Sequence, residues 1–421
     1  MNPLRAVKGM NDVLPDEMAQ FRRVEEAFAR TMRLYAFREV RTPIVEPTNL
    51  FVRAMGETTD VVGKEMYSFL HHEDPLTLRP EGTAGAVRAY IEHGVGQKEP
   101  VTRWWYLGPM FRAERPARGR YRQFWQAGAE IFGEAGPACD AEMIDLLVRY
   151  LVELGVPDAR VYVNSLGGAE ARPRYRSALV DHLRPRAAAL SPDSQRRLDA
   201  NPLRILDSKD PRDIEAVKDA PVMLDLLPPD DAAHFAELRQ HLDGLGTPYE
   251  VAPRLVRGFD YYTRTLFEIK GATAKLGAGD TLVGGGRYDG LVEELGGGKV
   301  PAIGFSAGVE RLIIASEAPQ ATQAVDAFIA PLGDAALGYA LVLARDLRAA
   351  GAVTELDGRK ASLKAQLRRA STIGARFALI AGDTEVSGNT VQVKDLAAHS
   401  QENVPRSDVV ARLLARLEGG P

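Results

Sequence analysis

The sequence predicts an α+β protein built from more than one domain. Its 421 residues are too many for one ordinary hydrophobic core, so two or three domains are expected. Strand and helix patterns follow one another irregularly through the first part of the chain, and a stretch without strand signals interrupts them. The last hundred residues alternate between strand and helix like a small independent unit, which predicts a partly parallel sheet with helices packed on it.

The first 167 residues contain the longest predicted elements. Apolar residues at helical spacing predict an amphipathic helix over 16–37. The extended stretch 39–45 contains Pro43, which indicates a sheet edge or an interface because proline cannot donate to a strand ladder. Aromatic-rich strands are predicted over 101–111 and 122–132, with a basic loop between them. A helix is predicted over 141–154, closed by Gly155.

The next segments define the predicted domain boundaries. Residues 168–246 are rich in Arg, Leu, Ala and Asp, and they indicate a helical insertion. Strand signals return over 251–269 and 281–285, and 302–316 has the pattern of a strand, a turn and a helix. A linker is predicted over 319–323. The predicted domains are a first catalytic part at 1–167, the insertion at 168–246, a second catalytic part at 247–320 and a C-terminal domain at 324–421.

The C-terminal domain is predicted to contain five elements. Strands are expected over 327–330, 377–380 and 390–393, and helices over 335–349 and 408–417.

Composition limits the class of protein. Hydrophobic residues make up 45% of the chain and charged residues 26%, as is usual for a globular protein. No apolar run is long enough to span a bilayer, and the first residues lack the apolar core of a secretion signal, so no membrane partner is expected. The single cysteine, Cys139, excludes an internal disulfide, which fits a reducing compartment. A cytoplasmic protein is expected.

Charge is distributed unevenly along the chain. The net charge is −4, yet six arginines and one acid lie between 103 and 122, and six basic residues and no acid lie between 358 and 376. Such patches can bind a polyanion, and they can equally be solvated faces.

Several common site motifs are absent, and one loose match remains. No phosphate-binding G-x-x-x-x-G-K-[ST] loop, dinucleotide fingerprint or H-E-x-x-H motif occurs, and His71 and His72 are expected to be exposed. No metal site formed by side chains is predicted. The segment 304–308 fits G-x-S-x-G, the nucleophile elbow of α/β-hydrolases, with Ser306 as the nucleophile and later partners in Asp326 and His399. The hypothesis of a hydrolase does not explain the arginine-rich segments.

Arginines at sheet and helix positions provide the strongest chemical signal. Arg112 ends a predicted strand, Arg257 lies in a strand-like segment and Arg311 opens a helix. A guanidinium group presents a planar fork that matches phosphate oxygens, so the three together could hold a bent triphosphate. Ion pairing to the many acids is the alternative for any one of them.

The sequence resembles the class II aminoacyl-tRNA synthetases, and within them the histidyl-tRNA synthetases, over nearly its whole length. The class resemblance rests on the Pro43 region, on 111–122 and on 304–311. The histidine-specific resemblance rests on 255–265 and 284–291, with 8–12 and 201–207 as further matches. The resemblance implies a catalytic domain built on an antiparallel sheet flanked by helices, a helical insertion and a C-terminal α/β anticodon-binding domain. It also implies ATP-dependent ligation of histidine to tRNA(His) through a histidyl-adenylate, in a homodimer.

The resemblance implies roles for named residues. The expected catalytic residues are Arg257, which bridges the amino-acid carboxylate and the α-phosphate, and Arg112, which contacts the α-phosphate. The expected histidine-binding residues are Glu81, Thr83, Gln126, Glu130, Tyr261 and Tyr262. The expected ATP-binding residues are Arg112, Glu114, Arg120, Phe124 and Arg311, with Mg²⁺ on the phosphates. The expected tRNA contacts are Arg115, Arg118, Arg359, Lys360, Lys364 and Arg368, with Arg369 and Arg376 in the same patch.

Two positions depart from the family pattern, and a related non-enzyme is an alternative. Trp125 stands where many relatives have a histidine, and Ala117 stands where a polar residue is common, which affects how the tRNA acceptor end is read. A paralogue of these synthetases regulates the first enzyme of histidine biosynthesis. It generally lacks the anticodon domain and part of the ATP-binding set, whereas this sequence retains both.

Overall fold

The computed structural model describes residues 3–57, 59–271, 276, 280–316 and 325–418. The predicted linker at 319–323 lies outside the described residues. The chain divides into two compact units, Met1–Gln320 and Ala321–Pro421. No helix among the described residues is both long and apolar enough to cross a membrane.

The first unit contains eleven strands among its described residues. They are β1 (Arg38–Glu39), β2 (Val45–Pro47), β3 (Tyr67–His71), β4 (Asp74–Leu78), β5 (Thr102–Phe111), β6 (Gln123–Phe132), β7 (Arg160–Ser165), β8 (Glu250–Val251), β9 (Thr263–Lys270), β10 (Thr281–Arg287) and β11 (Ala302–Gly308). Its α-helices are α1 (Pro15–Leu34), α2 (Thr48–Met55), α3 (Thr83–Glu92), α4 (Val95–Lys98), α5 (Pro137–Glu153), α6 (Ala171–Leu183), α7 (Pro192–Ala200), α8 (Pro211–Ala216), α9 (Pro229–Leu245), α10 (Leu291–Glu294) and α11 (Val309–Ala315). Short 3₁₀ turns cover Arg184–Ala189, Pro202–Asp207 and Met223–Leu226, and Val61–Glu65 forms a π turn.

One eight-stranded sheet organises this unit. Its strand order is β1-β5-β6-β11-β10-β9-β7-β8, and the six inner strands pair antiparallel. Side chains from one face, such as Ala129, Ile131 and Phe305, join the largest core together with residues of α1, α5, α9 and α11. Each large apolar side chain buried there contributes about 1.5–3 kcal/mol. This face of the sheet is therefore covered by helices, and residues of the other face, such as Phe132, Leu266 and Ala302, belong to a second core that also contains residues of α2 and α3.

Local sequence explains the bounds of two long helices. Pro15 opens α1 at a position where no amide donor is needed, and Glu17 accepts the backbone N–H of Leu14 at 3.3 Å. The chain leaves α1 through Ala36, which has a left-handed φ of 60°. The helix predicted over 141–154 begins earlier, at Pro137, because that proline again occupies the first turn.

The helical segment after β7 has a core of its own, but not over its full predicted range. That core contains Tyr175, Leu179, Ile205 and Met223, among others. The last helix, α9, instead packs its Phe235, Leu238 and Leu242 into the large core beneath the sheet. On packing grounds the separate helical body thus ends before α9.

The strand predicted over 251–269 is wrong in its first half. The chain leaves β8 at Val251 and forms regular structure again only at Thr263. Pro253 cannot donate to a strand ladder, and the side-chain amide of Asn164 donates to the carbonyls of Pro253 and Leu255 at 3.2 and 2.9 Å. The segment 252–262 is therefore an ordered loop above the edge of the sheet.

The second unit is a small α/β domain. Its strands are β12 (Val325–Pro331), β13 (Thr354–Leu356), β14 (Ala375–Ala381), β15 (Thr390–Asp395) and β16 (Gln401–Pro405), and its helices are α12 (Asp334–Ala349), α13 (Leu363–Thr372), α14 (Asp383–Gly388) and α15 (Val409–Glu418). The sheet order is β13-β12-β14-β15-β16. Strand β12 pairs in parallel with β13 and β14, and β15 pairs antiparallel with β14 and β16. The predicted α+β class and the partly parallel C-terminal sheet are confirmed.

Candidate active site

The face of the large sheet opposite the largest core has several glycines at its centre. Across β6, β11, β10 and β9, Glu130 lies opposite Gly304, and Gly304 lies opposite Gly286. In the next row Ser306 lies between Gly128 and Gly284, and Gly284 lies opposite Glu268. Because side chains alternate along a strand, all of these positions share one face.

The glycines leave space that functional side chains fill. A Cβ atom added at Gly304 would lie 1.5 Å from Oε2 of Glu130, and one at Gly284 would lie 1.9 Å from an Nη atom of Arg257. At Gly128 it would lie 2.5 Å from the hydroxyl of Tyr106. Larger residues here would displace the charged and polar groups that lie flat on the sheet.

Glu81 lies at the entrance to α3 with its carboxylate buried. One oxygen accepts the backbone N–H of Thr83 at 2.7 Å, and the other accepts that of Ala84 at 2.8 Å. Glu81 is only 3% exposed, and burial raises the pKa of its carboxyl group. Two backbone donors at a helix start favour the ionised form, so this carboxylate has lone pairs for a cationic ligand.

Glu130 is fully buried and surrounded by hydroxyl groups. Its Oε1 accepts hydrogen bonds from Thr83 at 2.8 Å and from Tyr106 at 2.9 Å, and its Oε2 accepts one from Tyr288 at 2.5 Å. Desolvation raises its pKa to about 8, although the three hydroxyl donors act in the opposite direction. The group can therefore exchange a proton near neutral pH. Four residues earlier on the same strand, Gln126 accepts the backbone N–H of Gly82 at 3.2 Å.

Tyr261 and Tyr262 close this pocket. Both are buried, and burial raises the pKa of each hydroxyl. Their ring centres are 4.6 Å apart, and the ring of Tyr261 lies 5.6 Å from that of Tyr288. The predicted histidine-binding residues thus form one buried cluster of carboxylates, hydroxyls and aromatic rings, which is called the pocket below.

Arg257 lies beside this pocket, over Gly284. Its Nη1 donates to Oε1 of Glu268 at 2.8 Å, and Thr281 donates to the same oxygen at 2.8 Å. The Nε atom of Arg257 is buried and has no hydrogen-bond partner among the described residues. A buried donor without a partner is costly, so this atom points to an acceptor supplied by a ligand.

Arg112 lies over two aromatic rings. Its Nε donates to the carbonyl of Pro80 at 2.9 Å. Its guanidinium carbon is 5.3 Å from the ring centre of Phe124 and 5.8 Å from that of Phe259. Packing of this kind holds the charged fork in one orientation.

Arg311 reaches the same sheet face from the start of α11. Its Nε donates to the carbonyl of Thr281 at 2.6 Å, and Thr281 also contacts the Glu268 carboxylate that pairs with Arg257. Burial lowers the pKa of Arg311, and nearby Arg120 adds to the effect. Arg120 in turn lies 3.8 Å from Glu114. The two arginines repel one another, and an anion bound beside both would offset that repulsion.

The predicted tRNA contacts belong to a loop of the first unit and to the second unit. Arg115 and Arg118 are exposed on the loop between β5 and β6. In the second unit Arg359, Lys360 and Arg369 pair with Asp357, Asp334 and Glu355. Lys364 and Arg368 are exposed on α13, and neither forms an ion pair with any described residue. Arg376 lies over the ring of Phe377.

Sequence reasoning missed three residues of this site. Tyr106 and Tyr288 both donate to Glu130, and Glu268 orients Arg257. Tyr288 belongs to the glycine-rich segment 284–291, so the motif itself carried a signal for it. Tyr106 and Glu268 lie on ordinary strands, and only the pairing of the strands brings them to the pocket.

The hydrolase reading of Ser306 is wrong. Ser306 lies inside β11 and pairs with Gly128 on one side and Gly284 on the other. A nucleophile elbow requires a sharp turn between a strand and a helix. A residue within a paired strand lacks that geometry.

Comparisons with known proteins agree over the whole chain. A family model described as "Histidyl-tRNA synthetase" matches residues 9–312, and one described as "Anticodon binding domain" matches residues 326–416. A histidine–tRNA ligase from Sorangium cellulosum is 58% identical over 412 residues, with 98% of this chain and 96% of the relative covered. One from Cyanothece is 48% identical over 415 residues, with 98% and 96% covered.

A solved structure has the same fold. The apo histidyl-tRNA synthetase from S. aureus superposes with a TM-score of 0.82 at 34% identity, covering 98% of this chain and all of that one. The chain therefore belongs to the histidyl-tRNA synthetase family.

Proposed function

We propose that this protein ligates histidine to tRNA(His) in two steps. A carboxylate oxygen of histidine attacks the α-phosphorus of ATP, forming histidyl-adenylate and releasing diphosphate. A ribose hydroxyl at the tRNA terminus then attacks the acyl carbon, and AMP leaves. The observation that carries the proposal is the placement of Arg257 and Arg311 around Glu268 and Thr281, beside a buried pocket with two carboxylates.

The pocket residues are proposed to recognise histidine. Glu81 takes the α-ammonium, since both of its oxygens are already oriented by backbone donors. Glu130 and Tyr262 contact the imidazole ring, and Thr83, Gln126 and Tyr261 complete the pocket. An amino acid without ring nitrogens would leave these buried groups without partners, which costs several orders of magnitude in rate.

The arginines are proposed to bind ATP and stabilise the transition state. Arg257 bridges the histidine carboxylate and the α-phosphate, using the Nε donor that lacks a protein partner. Arg112 contacts the α-phosphate, and Phe124 stacks on adenine. The adenine ring and the outer phosphates of ATP are contacted by Arg311, Arg120 and Glu114. Because these guanidinium groups are held in place, they offset the negative charge that develops on the reacting oxygens and need not move during the reaction.

Mg²⁺ is proposed as a companion of the ATP phosphates. Among the described residues no group of three or more His, Cys, Asp or Glu side chains is placed to hold a metal. Proteins often bind Mg²⁺ through substrate phosphates and one or two carboxylates, and the proposal places the ion on the phosphates of ATP. When bound, the ion would neutralise phosphate charge.

The same proposal extends to tRNA and to assembly. We propose that the exposed loop residues Arg115 and Arg118 contact the acceptor end of the tRNA. We propose that the anticodon arm contacts the face of α13 that carries Lys364 and Arg368, together with Arg359 and Lys360. We also propose a cytoplasmic homodimer. Ile44, Val45, Phe69 and Leu70 are exposed on and beside the small sheet β2-β4-β3, and exposed apolar clusters of this kind mark interfaces.

Histidine-dependent exchange of pyrophosphate into ATP tests the proposal. Arg257→Ala should lower the exchange rate by roughly 100-fold or more, since a group acting in the transition state contributes about 3 kcal/mol. Arg254→Ala is the matched control, because Arg254 lies in the same loop and donates instead to the carbonyl of Lys218. A wild-type protein without exchange would favour the regulatory alternative, and equal rates in the two variants would refute the role of Arg257.

A further inference from the structure

The loop that carries Arg257 alternates between two surroundings. Three of its residues face the site: Arg257 lies over Gly284, Phe259 lies under Arg112, and Tyr261 lies against Tyr288. Gly258 and Asp260, which lie between these three in the chain, contact the helical body instead. Because Gly258 and Asp260 are the direct chain neighbours of Arg257, Phe259 and Tyr261, contacts that hold Gly258 and Asp260 also restrict the positions of those three residues.

Three residues of the helical body hold Gly258 and Asp260. Arg204 donates to the carbonyl of Gly258, and Arg172 donates to the carbonyl of Asp260. Arg172 also lies 3.3 Å from Oδ1 of Asp260. The side-chain amide of Asn201 donates to both carboxylate oxygens of Asp260, at 3.0 and 3.3 Å.

The end of helix α2 fits closely around the same residue. The backbone N–H of Asp260 donates to the carbonyl of Met55 at 3.4 Å. At Gly56, which has a left-handed φ of 89°, an added Cβ would lie 2.9 Å from Oδ2 of Asp260. Asp260 thus connects the catalytic part of the unit to the helical body. Its chain neighbours, Phe259 and Tyr261, both face the site.

We propose that Arg172, Asn201 and Arg204 are positioning residues for adenylate formation. They hold Gly258 and Asp260 so that Arg257, Phe259 and Tyr261 keep their orientation toward ATP and histidine. This inference rests on the proposed function. Small displacements of catalytic groups reduce rate strongly, so the effect belongs in kcat rather than in substrate affinity.

Pyrophosphate exchange by the full-length Asn201→Ala variant tests the inference. We expect kcat to fall roughly 10- to 100-fold, while KM for histidine and for ATP changes less than about threefold. Arg176→Ala is the control: Arg176 lies on α6 like Arg172, but donates to the carbonyl of Asp199 within the helical body. The control should keep its kcat within about threefold of the wild type, and the unfolding temperatures of both variants should match.

A second variant separates position from stability. Asn201→Asp places a carboxylate against Asp260 and should lower kcat further than Asn201→Ala. Adding Asp260→Asn restores a donor and an acceptor to that pair and should recover part of the rate. Equal kcat in Asn201→Ala and Arg176→Ala, or no recovery in the exchanged pair, would overturn the positioning role. A wild type without histidine-dependent exchange would instead refute the proposed function.

Discussion

At the scale of single residues, the site depends on ionisable groups that are buried away from solvent. Glu81 and Glu130 are both buried in one pocket, and Arg257 keeps a buried donor without a protein partner. Such groups are unfavourable in the empty protein and gain most when a ligand of opposite charge arrives. The residues that matter for recognition are thus also the ones that reduce the stability of the empty fold.

The raised pKa of Glu130 gives a pH dependence of stability. Its folded-state pKa of about 8 exceeds that of an ordinary glutamic acid, so the native state holds a proton that the unfolded chain has released. Between pH 5 and pH 8 the free energy of unfolding should therefore fall as pH rises, by an amount on the order of a few kcal/mol. Denaturant unfolding without histidine measures it.

Glu130→Gln is the comparison for that measurement. Glu81, Tyr106, Tyr288, Tyr261 and Tyr262 surround Glu130, and burial raises the pKa of Glu81 as well, so some pH dependence should remain in the variant. The difference between the two proteins isolates Glu130. An identical decline from pH 5 to pH 8 in both would contradict the assignment.

At the scale of elements, the strands contribute to the site mainly through glycines, which leave space on the sheet for other side chains. Gly128, Gly284 and Gly304 remove side chains from the centre of the sheet, and Glu130, Arg257 and Tyr106 occupy the space. Glycine within a strand weakens it, so the opposite face, with its large core, must provide the stability of these strands.

Gly304→Ala tests this arrangement. The added methyl group would overlap Oε2 of Glu130, so we expect KM for histidine to rise by roughly tenfold or more while the protein remains folded. Gly298→Ala is the matched control, because no atom lies within 4 Å of its added Cβ. Steady-state pyrophosphate exchange at varied histidine measures the change. An unaltered KM in the first variant would show that the pocket does not need the glycine.

At the scale of the whole molecule, the two compact units have separate cores. The first contains the arginines and the buried pocket, and the second contains the basic face of α13. A chain divided in this way can separate small-molecule chemistry from recognition of a long polyanion.

Truncation after residue 320 should separate the two activities. We expect pyrophosphate exchange to stay within about threefold of the wild type, whereas aminoacylation of tRNA should fall at least tenfold through KM. Thermal unfolding checks that the shortened protein is folded. Equal losses of exchange and aminoacylation would contradict the division of labour.

The exposed apolar cluster predicts an effect on assembly. Phe69→Asp should shift the protein toward monomer in sedimentation velocity, since a charge in a buried interface is costly. Val152→Asp, at an exposed apolar position on α5, is the control and should leave the sedimentation coefficient unchanged. A variant at Phe69 that sediments like the wild type would argue against this surface as the dimer contact.

Sequence alone determined the class and the order of the main elements, and it predicted most of the residues of the candidate site. Long strands at 102–111 and 123–132 follow from local aromatic-rich patterns, and the motif residues follow from resemblance. Tertiary structure alone decided three further points: that 252–262 is a loop, that α9 belongs to the large core, and that Tyr106, Tyr288 and Glu268 join the site. The physical reason is that strand register and loop anchoring depend on contacts between residues far apart in the chain, which no local pattern encodes.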